Sequence, residues 1–137
     1  MIVLITGDRD WKDWGAVEAF AKTLNPFNDV VIQGDARGAD RMVFETACRK
    51  YMVATLSVPA LWQYRGKAAG AQRNARMAGI IGTPDFVVYF HDNLEESKGT
   101  ALMVRIARRQ GIPVYSWREW VDINPVWSYN SGAPVAQ

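Results

Sequence analysis

The sequence predicts an α/β fold: a mainly parallel five-stranded sheet with helices on both faces. Three observations carry this. Short apolar runs alternate with helical stretches along almost the whole chain, the pattern of strands joined by helical crossovers. The runs are apolar throughout, as in strands covered on both faces, and do not alternate with polar residues. And 137 residues with 49% hydrophobic and 22% charged side chains make one ordinary domain with room for a sizeable core.

The elements follow in order. Residues 1–6 are the first strand. Residues 14–24 form a helix with Val17, Phe20, Ala21 and Leu24 on one side, stopped by Asn25-Pro26. Residues 30–33 are the second strand and 39–50 the second helix, burying Met42, Val43, Ala47 and Cys48. Residues 53–58 make the third strand, and a long connection over 59–70 leads into a helix ending near Gly79. Residues 86–90 are the fourth strand, 100–110 the fourth helix and 113–117 the fifth strand, with Gly111 and Pro113 as stop and restart. Right-handed crossovers then favour the strand order 3-2-1-4-5. The domain is expected to span residues 1–123. Residues 124–137, rich in Asn, Ser, Gly and Pro, are a tail that is either disordered or docked on a partner.

Composition narrows the functional classes. The net charge of +2 is too small to imply a nucleic-acid or membrane partner, and nucleic acid is expected to be an unlikely one. One cysteine, Cys48, supports neither an intrachain disulfide nor a zinc cage and fits a reducing, cytoplasmic setting. No apolar run is long enough to span a membrane, and the N-terminus lacks a signal peptide's basic start and cleavage site. No metal-ligand spacing or nicotinamide fingerprint occurs, so no cofactor and no metal are expected.

In a sheet of this order the ligand crevice lies outside the carboxyl ends of the strands, at the reversal between the first and fourth. The loop after strand one, Gly7-Asp8-Arg9-Asp10-Trp11, has a glycine for close approach, an arginine fork for phosphate or carboxylate and an indole for stacking. After strand two, Gly34-Asp35-Ala36-Arg37-Gly38-Ala39-Asp40 opens a helix whose N–H groups and partial positive charge suit an anion. Arg37 can close over it, and Asp40 can cap the helix or hold a ribose hydroxyl. After strand three, the stretch 62–77 is aromatic, basic and glycine-punctuated, with Arg73, Asn74 and Met77 on one helical side. Such a segment also suits single-stranded nucleic acid, or a solvated helix face. After strand four, Gly99-Thr100 starts a helix as a second anion seat. His91 is the single histidine, and no Ser-His-Asp order appears. Trp11, or failing it Trp62 or Tyr64, is expected to stack on a base.

Together, Gly7 to Trp11, the Gly-x-Ala-Arg-Gly-Ala-Asp of residues 34–40, the Arg-Asn-x-x-Met of residues 73–77 and Gly99-Thr100 resemble the YspA-like, DUF2493-type branch of the SLOG superfamily. That branch is related to the LOG phosphoribohydrolases and to the DNA-processing protein DprA, and is common in bacteria and their phages. The resemblance covers residues 1–117. It implies a Rossmann-like sheet whose crevice binds a nucleotide or nucleotide-derived small molecule. The first expectation is a sensor or sequestering protein; related folds commonly pair as homodimers, and the sequence itself does not fix the oligomeric state. The ligand-binding set it implies is Gly7, Asp8, Arg9, Trp11, Gly34, Asp35, Ala36, Arg37, Gly38, Asp40, Arg73, Asn74, Met77, Gly99 and Thr100. Where the LOG enzymes carry a catalytic glutamate, this chain has Met103, which cannot support an oxocarbenium-like centre. A second possibility is a nucleotide N-glycosidase using Asp8, Asp35, Asp40 or Glu95 instead. A third is DprA-like binding of single-stranded DNA.

Overall fold

The computed structural model describes residues 1–128 and 134–135, with 64, 65, 134 and 135 described by their backbone alone. Five strands, β1 (Ile2–Gly7), β2 (Val30–Gln33), β3 (Ala54–Ser57), β4 (Phe86–Phe90) and β5 (Val114–Ser116), form one all-parallel sheet ordered β3-β2-β1-β4-β5. The predicted order is the observed one, and the fold is Rossmann-like. β1 sits at the centre, with Leu4 beside Ile32 on one side and Val87 on the other.

Among the described residues, six α-helices connect and cover the strands: α1 (Trp14–Ala21), α2 (Ala39–Val43), α3 (Trp62–Arg65), α4 (Ala69–Met77), α5 (Gly99–Arg109) and α6 (Trp117–Ile123). Alternation along β1 splits the core in two. Val3 and Ile5 face Val17 and Phe20 of α1, Met42 and Val43 of α2 and Trp120 of α6. Leu4 faces the other way, onto Met77 of α4 and Met103 and Ala107 of α5. Trp120 is fully buried against Phe20, Phe86 and Tyr115, and its indole N–H donates to Thr23 Oγ1 at 2.9 Å. A large ring with its polar atom satisfied is a strong anchor.

Four features differ from the sequence expectations. Cys48 is half-buried, where it was expected in the core, and α3 falls within the stretch 59–70 read as a connection. The second helix runs on past α2 as seven π-helical residues, Phe44–Lys50. And α6, which the apolar spacing did not announce, begins where the fifth strand was expected to continue. Its start is a capping box, with Ser116 Oγ accepting from the Glu119 N–H and Glu119 Oε1 accepting from the Ser116 N–H. Of the tail, Val126–Trp127 (β6) pairs antiparallel with Pro134–Val135 (β7), and the Trp127 N–H donates to the Lys22 carbonyl at 2.9 Å. Residues 129–133, 136 and 137 lie outside the described residues.

Candidate nucleotide crevice

The carboxyl ends of β1, β2 and β4 open into a cleft of about 540 Å³ between α4, the N-terminus of α5 and the two loops that follow β1 and β2. The backbone there is drawn together by contacts within the chain. The Asp8 N–H donates to the Phe90 carbonyl at 2.9 Å, and the Asp8 carbonyl accepts from the Ala39 N–H at 3.0 Å, so β1, β4 and α2 meet at one residue. Gly38 has φ +79°, and a Cβ there would lie 2.4 Å from the carbonyl oxygens of Asp8 and Arg9. Only glycine permits that approach.

Of the residues expected to bind ligand, Gly7, Asp8, Arg9, Ala36, Arg37, Asp40, Arg73, Asn74, Met77, Gly99 and Thr100 line this cleft. Trp11 does not. It is only 7% exposed, packs edge-on against Phe90 at 5.9 Å and donates its indole N–H to the Asp13 carbonyl. The expectation that it stacks on a base is corrected: a β1 loop this tightly turned folds the indole into the core. The indole in the cleft is Trp62, 48% exposed, with the Arg9 guanidinium 5.7 Å from its ring centre. It lies over the first turn of α4, where a Cβ at Gly70 would come within 3.0 Å of its ring.

The loop after β2 also behaves differently from a vacant phosphate cradle. Its N–H groups at Gly34 and Ala36 both donate to Asp40 Oδ2, at 3.1 and 3.2 Å, and that of Asp35 donates to the Gln33 side chain. Asp40 is buried, and burial raises its carboxyl to about 6 against the opposing backbone bonds and the Arg73 charge. The chain's own carboxylate fills part of the nest. Asp35 has φ +55°, a conformation that favours glycine, which an aspartate tolerates better than most residues; it is exposed and pairs with Arg41 at 3.7 Å. Asp35 and Glu95, two of the four candidate catalytic carboxylates, do not line the cleft, whereas Asp8 and Asp40 do. Met103 is fully buried in the core, so that turn of α5 presents no carboxylate to the cleft.

Arg73 braces the site. Its guanidinium donates to the Gly34 carbonyl and to Asn74 Oδ1, the latter at 2.8 Å, while Asn74 Nδ2 donates to the Gly99 carbonyl at 3.2 Å. One residue pair of α4 thereby ties the loop after β2 to the N-terminus of α5. At the start of α5 the Thr100 N–H is taken by Ser97 Oγ at 3.0 Å. With these backbone donors engaged, positive charge in the cleft comes mainly from side chains. Five cations, Arg9, Arg37, Lys67, Arg73 and Lys98, face three carboxylates, Asp8, Asp10 and Asp40. Arg37 reaches Asp10 at 3.3 Å on the open rim. Lys67 lies within the stretch 62–77, and Ser97 and Lys98 directly precede Gly99-Thr100, but none of the three is in the expected ligand-binding set. His91, beside Asp8 at the strand reversal, accepts the Asn93 N–H on Nδ1 at 2.9 Å.

No family model matches the sequence. The gene 61 protein of Mycobacterium phage D29 is 37% identical over 122 residues, covering 84% of this chain and 94% of the phage protein. Among solved structures, DNA processing protein A from Helicobacter pylori superposes with a TM-score of 0.62 at 18% identity, over 85% of this chain; the chain spans 64% of that protein's length. At that identity the likeness shows the shared fold. The Helicobacter protein binds single-stranded DNA, which corrects the expectation that nucleic acid is an unlikely partner. That expectation rested on the net charge of +2, a sum over the whole surface, whereas recognition depends on where the cations gather.

Proposed function

We propose that this chain, which belongs to the family of the gene 61 protein of Mycobacterium phage D29, binds single-stranded nucleic acid in its crevice. A backbone phosphate sits among Arg9, Arg37, Lys67 and Lys98, and a base stacks on Trp62. The observation that carries this reading is the pairing of a half-exposed indole with an excess of cationic side chains in one cleft at the strand reversal. Stacking platforms beside phosphate-binding cations are how proteins hold single strands without reading sequence. The fold shared with a DNA-binding protein supports it.

A second reading, binding of a free nucleotide-derived ligand, draws support from the cleft volume of about 540 Å³, within the usual range for small-molecule sites. Assignment to the YspA-like branch belongs to this proposal too, supported by Arg73, Asn74 and Met77 meeting Gly99 and Thr100 in one cleft. So does division into a binding domain over 1–123 with 124–137 appended to it, and a cytoplasmic place of action, supported by the single Cys48.

The test is fluorescence anisotropy with a labelled thymidine oligomer, a matching duplex and AMP as competitor. The oligomer should bind more tightly than the duplex. Trp62→Ala should weaken it by about 1–3 kcal/mol, the worth of one stacked base, and Arg37→Ala by about 1.5–3 kcal/mol, the range for hydrogen bonds to charged groups. Displacement of the oligomer by AMP at equal affinity favours the second reading. An oligomer that fails to bind overturns the first.

A further inference from the structure

A second, smaller cavity of about 130 Å³ shares Arg73 with the main cleft. Its walls are Val58 and Pro59 just after β3, Leu61, and Ala69, Gln72, Arg73 and Arg76 of α4. Val58 and Ala69 are buried, whereas Pro59, Leu61 and Arg76 are exposed, so the hollow is an apolar floor opening outward beneath a cationic rim. A cavity of about 150 Å³ lined by apolar side chains holds a benzene ring. This hollow, open on one side, has room for a single flat ring of pyrimidine size.

Among the described residues, Arg73 is the one side chain that borders both cavities. Its hydrogen bonds to the Gly34 carbonyl and Asn74 Oδ1 use two of the five N–H groups of a guanidinium. Consecutive nucleotides are joined by one phosphate, and a guanidinium that borders both a nucleotide-sized cleft and a ring-sized hollow is suited to that phosphate. Arg76, one turn-neighbour along α4 from Arg73, adds a second cation on the outer rim.

We propose that the cavity formed by Val58, Pro59, Leu61, Ala69 and Arg76 is a subsite for the base of the nucleotide adjoining the one in the main cleft, with Arg73 and Arg76 on the linking phosphate. This rests on the single-strand reading above and adds a defined footprint: two consecutive nucleotides, the second held mainly by burial of its ring. Pyrimidines fit it better than purines.

The experiment compares 5′-phosphorylated thymidine, its dinucleotide, a dinucleotide whose second sugar lacks a base, and a longer thymidine oligomer, by competition against a labelled oligomer. The full dinucleotide should bind about tenfold or more tightly than the mononucleotide, the scale of one buried base, and the abasic one should lose most of that gain. Leu61→Ser, an exposed and uncharged change, should remove the same increment and leave mononucleotide affinity unaltered. If the longer oligomer binds but the abasic dinucleotide matches the full one, or Leu61→Ser keeps the gain, the subsite is wrong while the single-strand reading stands. If the longer oligomer does not bind at all, both fall together.

Discussion

Asp40 shows how one side chain reshapes the reading of a motif. A glycine-flanked turn ahead of a helix reads as an anion cradle, and here the anion that reaches its N–H groups is the chain's own carboxylate, bonded to Gly34 and Ala36 and close enough to Arg73 to feel its charge. Burial lifts that carboxyl from 3.8 to about 6. An acid whose folded value lies above its unfolded one binds its proton more tightly when folded. Its contribution to stability is complete below about pH 3.8 and is lost as pH rises through about 6. Asp40→Asn should abolish this slope, because the amide oxygen can accept both backbone bonds and never ionises. Between pH 4 and pH 7 the wild type should lose stability relative to the variant, by at most about 3 kcal/mol. Urea unfolding at both pH values reads the difference, and parallel pH profiles would show that Asp40 does not titrate in this range.

Among the elements, the second helix ends with a left-handed residue that is not glycine. Met52 has φ +61°, is 72% exposed, and follows the π-helical segment Phe44–Lys50. The Met52 N–H donates to the Cys48 carbonyl and the Val53 N–H to that of Ala47, a closure one residue wider than the usual glycine cap because the preceding turn is itself wide. Left-handed backbone is strained for a side chain with a Cβ, and Met52 has little packing to offset it. Met52→Gly should stabilise the fold by about 0.5–1 kcal/mol, raising the thermal midpoint by a few degrees; an unchanged or lower midpoint would count against strain at this turn. Nothing in the residues around Met52 signals that geometry, because methionine is neither a turn former nor a cap. The strands were legible because doubly covered β-strands must be apolar throughout, and the order followed from crossover handedness. α6 was not: its start, Ser116 to Glu119, carries the capping signal, but Val114 and Tyr115 read equally well as a strand running into Trp117. The cleft residues were legible through glycine and arginine spacing, whereas the burial of Trp11 depends on Phe90, which lies on a strand distant in sequence.

Across the whole molecule, charge is unevenly placed. Sixteen Lys and Arg against fourteen Asp and Glu nearly cancel, but the cleft holds five of the cations, and their partners are not equivalent. Arg37 is countered by Asp10 on the rim and Arg73 is engaged in holding Gly34 and Asn74, which leaves Arg9, Lys67 and Lys98 as the cations best placed to displace counterions from a bound strand. For single strands each neutralised phosphate contributes about 0.7 to the slope of log affinity against log salt. Three such contacts predict a slope of about −2, and partial engagement of Arg37 and Arg73 would carry it toward about −3.5. Lys98→Ala removes one contact at the mouth of α5, where the exposed side chain has no packing role. It should therefore flatten the slope by about 0.7 and weaken binding at low salt more than at high salt, with no change in unfolding stability. Anisotropy titrations of a labelled thymidine oligomer across a series of salt concentrations measure both slopes. A wild-type slope near zero, or one that Lys98→Ala leaves unaltered, would mean that the strand does not run through this cleft.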